Sequence, residues 1–284
     1  MSEPKRQHTV PACYLENWGI NGNQGREDTK FYVFNVSKHH VFIASVNNYP
    51  IEKLFYDIPE LEEKKRLLEE FFYNIEDKYV TLLRRVLQRI EDRQNIRSKT
   101  EPIISMEDRN ELAAQFAMQI VRTQAFRSFY RYTYTTFKEG LPWADIPAYT
   151  NSDFQRLHTS EIMSFNMANF YANLLSDRNW VILVNHSDIP FFTSDNPGIF
   201  INHSEKLFEP KSPVAEEVTF YIPLSPTIAV ELYHKNLLKI PEICIPFTNS
   251  GIVQGYNRNL LIQCTRFMFS NKNDFSCLTG GEKL

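Results

Sequence analysis

The amino-acid order predicts an α+β protein, with a helical middle packed on a mostly antiparallel sheet built from an N-terminal hairpin and C-terminal strands. Three observations predict it. β-Branched and aromatic runs open the chain after a polar start, Leu-rich segments of helical period fill the middle, and short strand-like runs separated by turn residues return near residue 180. No long polar linker divides the 284 residues, so one domain spanning 1–284 is expected.

Residues 30–36 (KFYVFNV) and 40–46 (HVFIASV) flank a polar break at 37–39 and read as a hairpin. Beyond Pro50 the period changes. Across 60–97 Leu61, Leu68, Phe71, Phe72, Ile75, Tyr79, Leu82, Leu83, Val86 and Ile90 recur at spacings of three, four and seven, which gives an amphipathic helix with a possible break near Asn74. Ser105, with Asp108 three positions later, begins a second helix expected to continue to about Thr136. A third fits 153–175. Strands are expected at 180–185, 191–193, 218–222 and 228–232, then a helix over 250–265 and a closing strand at 266–270.

Composition removes several function classes. Only 9 glycines occur, and no Walker A, G-x-G-x-x-G or G-x-S-x-G pattern is present, which sets aside the common NTPases, dinucleotide enzymes and α/β-hydrolases. The formal charge of −3 provides no general positive sheath for nucleic acid. Seven histidines show no H-x-x-x-H or H-E-x-x-H spacing, so neither a metal nor any other cofactor is expected. Four scattered cysteines without a C-x-x-C pair, no apolar leader and no apolar run near the ~20 residues of a membrane helix predict a cytoplasmic protein with no membrane association.

Several polar positions invite a chemical reading. His8 precedes an extended X-Pro segment, and its imidazole could serve as general base or phosphate donor, or simply anchor the terminus. Asp195 and Asn196 lie where a strand meets Pro197-Gly198, a pairing that predicts a type II turn. There Asp195 could orient or deprotonate a partner and Asn196 bind an oxyanion or base edge. Gln115, Gln119 and Arg122 share a narrow arc at ~100° per residue, roughly opposite Leu112, Phe116 and Ile120, which favours a solvent face for them. Arg127 instead projects into the apolar arc and must be paired or aimed into a cleft. Residues 122–134 interleave cations with rings, a mixture that serves either as core or to stack bases. Arg85, Arg89, Arg93 and Arg97 form a basic line whose charge is balanced by neighbouring acids, as in a solvated, self-paired face.

Taken in order, His8-Thr9-Val10-Pro11 with Tyr14-Leu15, Phe55-Tyr56-Asp57, Gln119-x-x-Arg122-Thr123, Thr193-Ser194-Asp195-Asn196-Pro197, Pro223-Leu224-Ser225-Pro226 and Asn257 resemble a widespread bacterial domain-of-unknown-function family, number 4238. Thr9 departs from the pattern, which more often has an aromatic residue after the histidine. The resemblance implies one compact domain in which His8, Gln119, Arg122, Asp195 and Asn196 meet, and it favours Gln119 and Arg122 over Arg127. It supplies no reaction. The expected function is a metal-independent phosphodiesterase, an RNA-directed nuclease acting as toxin or defence effector. In it His8 is acid or base, Asp195 orients it, Arg122 and Gln119 stabilise phosphoryl charge, and Asn196, Arg127 and Asn257 contact substrate. The alternative is a non-catalytic module that senses a nucleotide or peptide ligand or docks a partner protein from a neighbouring gene.

Overall fold

A computed structural model describes residues 6–53, 55–56, 62–94, 102–203 and 212–278. The chain opens with strand β1 (Arg6–His8), a helical turn α1 (Ala12–Leu15) and the expected hairpin of β2 (Lys30–Asn35) and β3 (His40–Ser45). Strand β4 (Ile51–Lys53) then pairs antiparallel with β1. The helical block comprises α2 (Glu62–Gln94), α3 (Met106–Val121), α4 (Gln124–Gly140), α5 (Asn151–Ser164) and α6 (Asn166–Ser176). Strands β5 (Asn179–Asn185), β6 (Thr193–Ser194), β7 (Ile199–Asn202), β8 (Val218–Pro223), β9 (Ile228–Tyr233) and β10 (Glu242–Phe247) follow, then α7 (Ser250–Gln263) and β11 (Phe267–Ser270).

The fold is α+β, and its strands divide between sheets. A five-stranded sheet has the order β10-β5-β9-β8-β7, and a four-stranded sheet joins the hairpin to the C-terminal strands in the order β3-β2-β11-β6. Only the β10–β5 pairing is parallel within these sheets. Strand β5 is buried at all seven positions, because both faces of its sheet are covered. Trp180, Ile182, Phe220 and Leu232 face the helices, where Phe116 of α3 meets Trp180 and Phe220 at ring distances of 6.0 Å. Val181, Leu183, Tyr221 and Ala229 face the second core, which Phe34, Met268, Val253 and Leu260 complete from the smaller sheet and α7.

Two helices expected to be continuous are broken. The second stops at Arg122, and Thr123 starts α4 by accepting the Phe126 amide on its hydroxyl at 3.2 Å. The third turns at Phe165, whose φ of 59° lies in the left-handed region. Conversely, α2 runs without a break at Asn74. Gly198 is not among the positive-φ residues, so the expected type II turn does not form. A side chain is excluded there for another reason, since a Cβ would lie 2.7 Å from the Phe220 ring.

Candidate functional site

The N-terminal segment 7–18 wedges between the helices and both larger sheets, and its contacts assemble most of the singled-out motifs. Tyr14 donates its hydroxyl to the Pro223 carbonyl at 2.6 Å and shares a 2.9 Å hydrogen bond with the Thr193 hydroxyl. Asn17 donates to the Leu224 carbonyl and the Trp18 indole to that of Phe191. The Gln7 side chain accepts the Tyr56 amide at 2.7 Å, and the Tyr56 hydroxyl donates to the Arg122 carbonyl at 2.8 Å. Such buried bonds between distant segments fix where each motif sits.

Gln119 and Arg122 are each 2% exposed, which overturns the solvent face expected for them, while Gln115 is half-buried. The reason is that segment 7–18 and α2 cover this side of α3. Arg122 donates to the His8 carbonyl at 2.8 Å, pairs with Glu76 at 3.0 Å and lies 4.2 Å over the Phe72 ring. Burial alone would lower its pKa, but the Tyr56 hydroxyl and the Glu76 carboxylate hold the guanidinium above its usual value. Its Nε has no hydrogen-bond partner among the described residues. Gln119 is stranded further, since neither amide atom is matched among the described residues. The buried Tyr79 hydroxyl approaches that amide without closing a well-formed bond, and burial pushes its pKa up. Cys13, bonded to the Glu76 carbonyl at 3.6 Å, borders the same centre as a protonated thiol, raised first by burial and then by Glu76 and Glu16. Thus the His8 backbone carbonyl and Glu76 meet Arg122, Tyr79 lies beside Gln119 one helical turn away, and Cys13 borders Glu76. Asp57 lies outside the described residues.

Asp195 and Asn196 follow β6 at the edge of the four-stranded sheet and are occupied by other partners. Asp195 accepts the Thr265 amide on one oxygen and the Arg266 and Phe267 amides on the other, at 2.7–3.2 Å. Burial pushes its pKa up to about 6 while those three donors pull the other way. Asn196 donates to the Gln263 carbonyl at 2.9 Å, so the pair clamps the end of α7 to the start of β11. Asn257, fully buried, accepts the Phe192 amide and donates to the Pro190 carbonyl. Arg127 is paired inside the protein as its position requires. It donates to His158 Nδ1 at 3.2 Å and to the Phe55 carbonyl, and stacks 3.6 Å over the Phe55 ring, with burial lowering its pKa to about 10. His158 in turn contacts the Val121 carbonyl through Nε2 at 2.6 Å, and burial followed by Arg127 lowers its pKa to about 3.

Sequence reasoning missed a second polar cluster. Glu231 of β9, 1% exposed, accepts from Thr219 at 2.6 Å, His203 at 3.1 Å, Tyr233 at 2.9 Å and Tyr256 at 2.6 Å. Burial would raise this carboxyl, but those four partners hold it below its usual range. The His203 side chain is 43% exposed, so here an acid orients an imidazole that water can reach. An acidic residue at an inward strand position, with tyrosines two residues away and on α7, was the only available signal.

The basic line on α2 is paired rather than free, with Arg85 and Arg89 both bound to Asp108. Arg97 lies outside the described residues. The outer face of α4 and the following loop leave Phe129, Tyr132, Phe137 and Trp143 more than half exposed. Among the described residues no group of three His, Cys, Asp or Glu side chains could hold a metal ion, and no helix is long and apolar enough to cross a membrane.

No curated protein and no solved structure matches this chain. Residues 6–274 match the family described as "Protein of unknown function (DUF4238)", a span that holds Tyr14, Gln119, Arg122 and Asp195. The chain belongs to the DUF4238 family.

Proposed function

We propose that this protein is a ligand-recognition module whose buried centre at His8, Tyr79, Gln119 and Arg122 takes up a small polar molecule, with a nucleotide as the first candidate. One observation carries the reading: among the described residues the Gln119 amide is unmatched on both atoms, beside an unmatched Tyr79 hydroxyl and one helical turn from the unmatched Arg122 Nε. Each stranded group costs about 1–3 kcal/mol. A guest offering both donors and acceptors removes that cost, and the Arg122 charge, already matched by Glu76, orients it without demanding a full counter-ion. The reading sets the module in the cytoplasm, supported by four free thiols. The exposed rings of α4 supply a surface for a partner protein.

The test is a near-isosteric change, Gln119→Met, followed by thermal denaturation with and without ribonucleoside monophosphates and a dinucleotide. The empty variant should gain about 1 kcal/mol by losing an unmatched amide, and the ligand-dependent rise of the wild type should vanish. A variant less stable than wild type, or one that still responds to nucleotide, would defeat the reading.

A second reading, the metal-independent phosphodiesterase acting on RNA as toxin or defence effector, is favoured by His203, whose imidazole already rests on Glu231 within reach of solvent. For His8 to play that part, Asp195 would have to give up backbone donors that now occupy both its oxygens. Incubation of wild type and of His8→Ala, Arg122→Ala and His203→Ala variants with total cellular RNA and DNA in the presence of a chelator separates the readings. Cleavage lost in His203→Ala or His8→Ala establishes the enzyme, and intact nucleic acid throughout rejects it.

A further inference from the structure

A cavity of about 330 Å³ opens beside α7, where three chain segments converge. The loop after β5 contributes Asp188 and Pro190, α7 contributes Gln254 and Arg258, and the segment after β11 contributes Lys272 and Asp274. Its walls are tied together. Asn257 holds Pro190 to α7, Lys272 Nζ donates to the Asp188 carbonyl at 2.7 Å, and Arg258 Nε donates to the Cys277 carbonyl at 3.3 Å. Phe275, 2% exposed, plugs the last segment into the core between Phe34 and Phe192 at ring distances of 5.4 and 4.9 Å. The Asp274 carboxylate is fixed by the Ser276 amide and hydroxyl. Walls set before a ligand arrives cost it little to order.

The lining carries two cations, Arg258 and Lys272, and two carboxylates, Asp188 and Asp274. A balanced set offers no net field for a plain anion or a plain cation. It suits a molecule that bears both charges. With Nε spent on Cys277, the terminal nitrogens of the guanidinium meet no hydrogen-bond partner among the described residues and suit a carboxylate, and Gln254 one turn earlier on the same side of α7 adds an amide. The two carboxylates suit an ammonium group. The volume falls at the low end of small-molecule cavities, the size of one or two amino-acid residues. We propose that this cleft is a binding site for a free α-amino acid or another small zwitterion, distinct from the Gln119 centre.

Saturation-transfer NMR on the full chain, titrated separately with glycine, glutamine, acetate and methylammonium, tests this. Glycine and glutamine should saturate at about 10 mM if the Kd lies near ~1 mM, with acetate and methylammonium at least about tenfold weaker because each meets only half of the charge set. Arg258→Ala and Asp188→Asn should each weaken glutamine about tenfold or more, with the thermal midpoint unchanged in Asp188→Asn. Asp188→Asn keeps the test decisive should Arg258→Ala unfold. Acetate binding as well as glycine, or no saturable response to either amino acid, overturns the proposal.

Discussion

Replacing Arg122 by Met isolates the part of the centre on which most other contacts lean. The variant keeps the length and apolar stem of the side chain but removes three interactions: the 3.0 Å ion pair with Glu76, the 2.8 Å hydrogen bond to the His8 carbonyl and the cation held 4.2 Å above Phe72. The Glu76 side chain is only 15% exposed, so its carboxylate is left largely desolvated and unpaired. Breaking a buried pair from one side costs about 3–5 kcal/mol. For a chain of this length that lowers the thermal midpoint by on the order of 10 °C. Urea denaturation gives the loss directly. A double-mutant cycle with Glu76→Gln gives the share due to the pair, and the double variant should be less damaged than the sum of the singles by about 1–3 kcal/mol. A loss below about 1 kcal/mol, or strict additivity, would refute the argument that Arg122 is a buried, charge-matched clamp.

His158 should remain neutral down to about pH 3, with Nε2 carrying the proton bound to Val121. Because its folded pKa is depressed below the ordinary value near 6.5, it stabilises the fold above that pH and loses this contribution as pH falls toward 3, by up to about 5 kcal/mol. ¹⁵N NMR showing an imidazolium at pH 5 would contradict this. Gly198→Ala should cost about 1–3 kcal/mol by forcing a methyl group against Phe220, measured by urea denaturation, and an unchanged midpoint would show that the ring yields freely. Asp195 should titrate near pH 6 in ¹³C carboxyl spectra. With its folded pKa above the usual 3.9, it favours the fold below about pH 4 and this contribution fades as pH rises through 6. A carboxylate ionised throughout pH 4–8 would sink the claim.

The α+β class, the hairpin, the long α2 and the central strands could be read from period alone, because packing reinforces what the local pattern prefers. The breaks at Arg122–Thr123 and Phe165 could not. No glycine or proline marks either place, and the hydrophobic period runs through both. Thr123 ends one helix by capping the next, a preference too weak to outweigh an unbroken apolar pattern. Strand β10 also escaped notice, since only its parallel pairing with β5 makes an edge segment containing Pro246 a strand. At the site, a polar arc opposite the core stripe looked like a solvent face. Its cover comes from α2 and from segment 7–18, the latter more than a hundred positions earlier, which no short window of sequence reveals. Arg127 was legible for the converse reason, as a cation within an apolar arc has to find an internal partner.

Segment 7–18 is synthesised well before two of its aromatic anchors' partners. Tyr14 waits for Pro223, 209 positions on, and Trp18 for Phe191, 173 positions on. Closing such long loops is slow, and the aromatic side chains of the segment stay uncovered until the distal strands emerge from the ribosome. Translation speed and chaperone access should therefore govern the yield of folded protein more than the strength of any single contact. A circular permutant that begins near residue 179 and carries 7–18 behind the strands should fold faster with the same contacts.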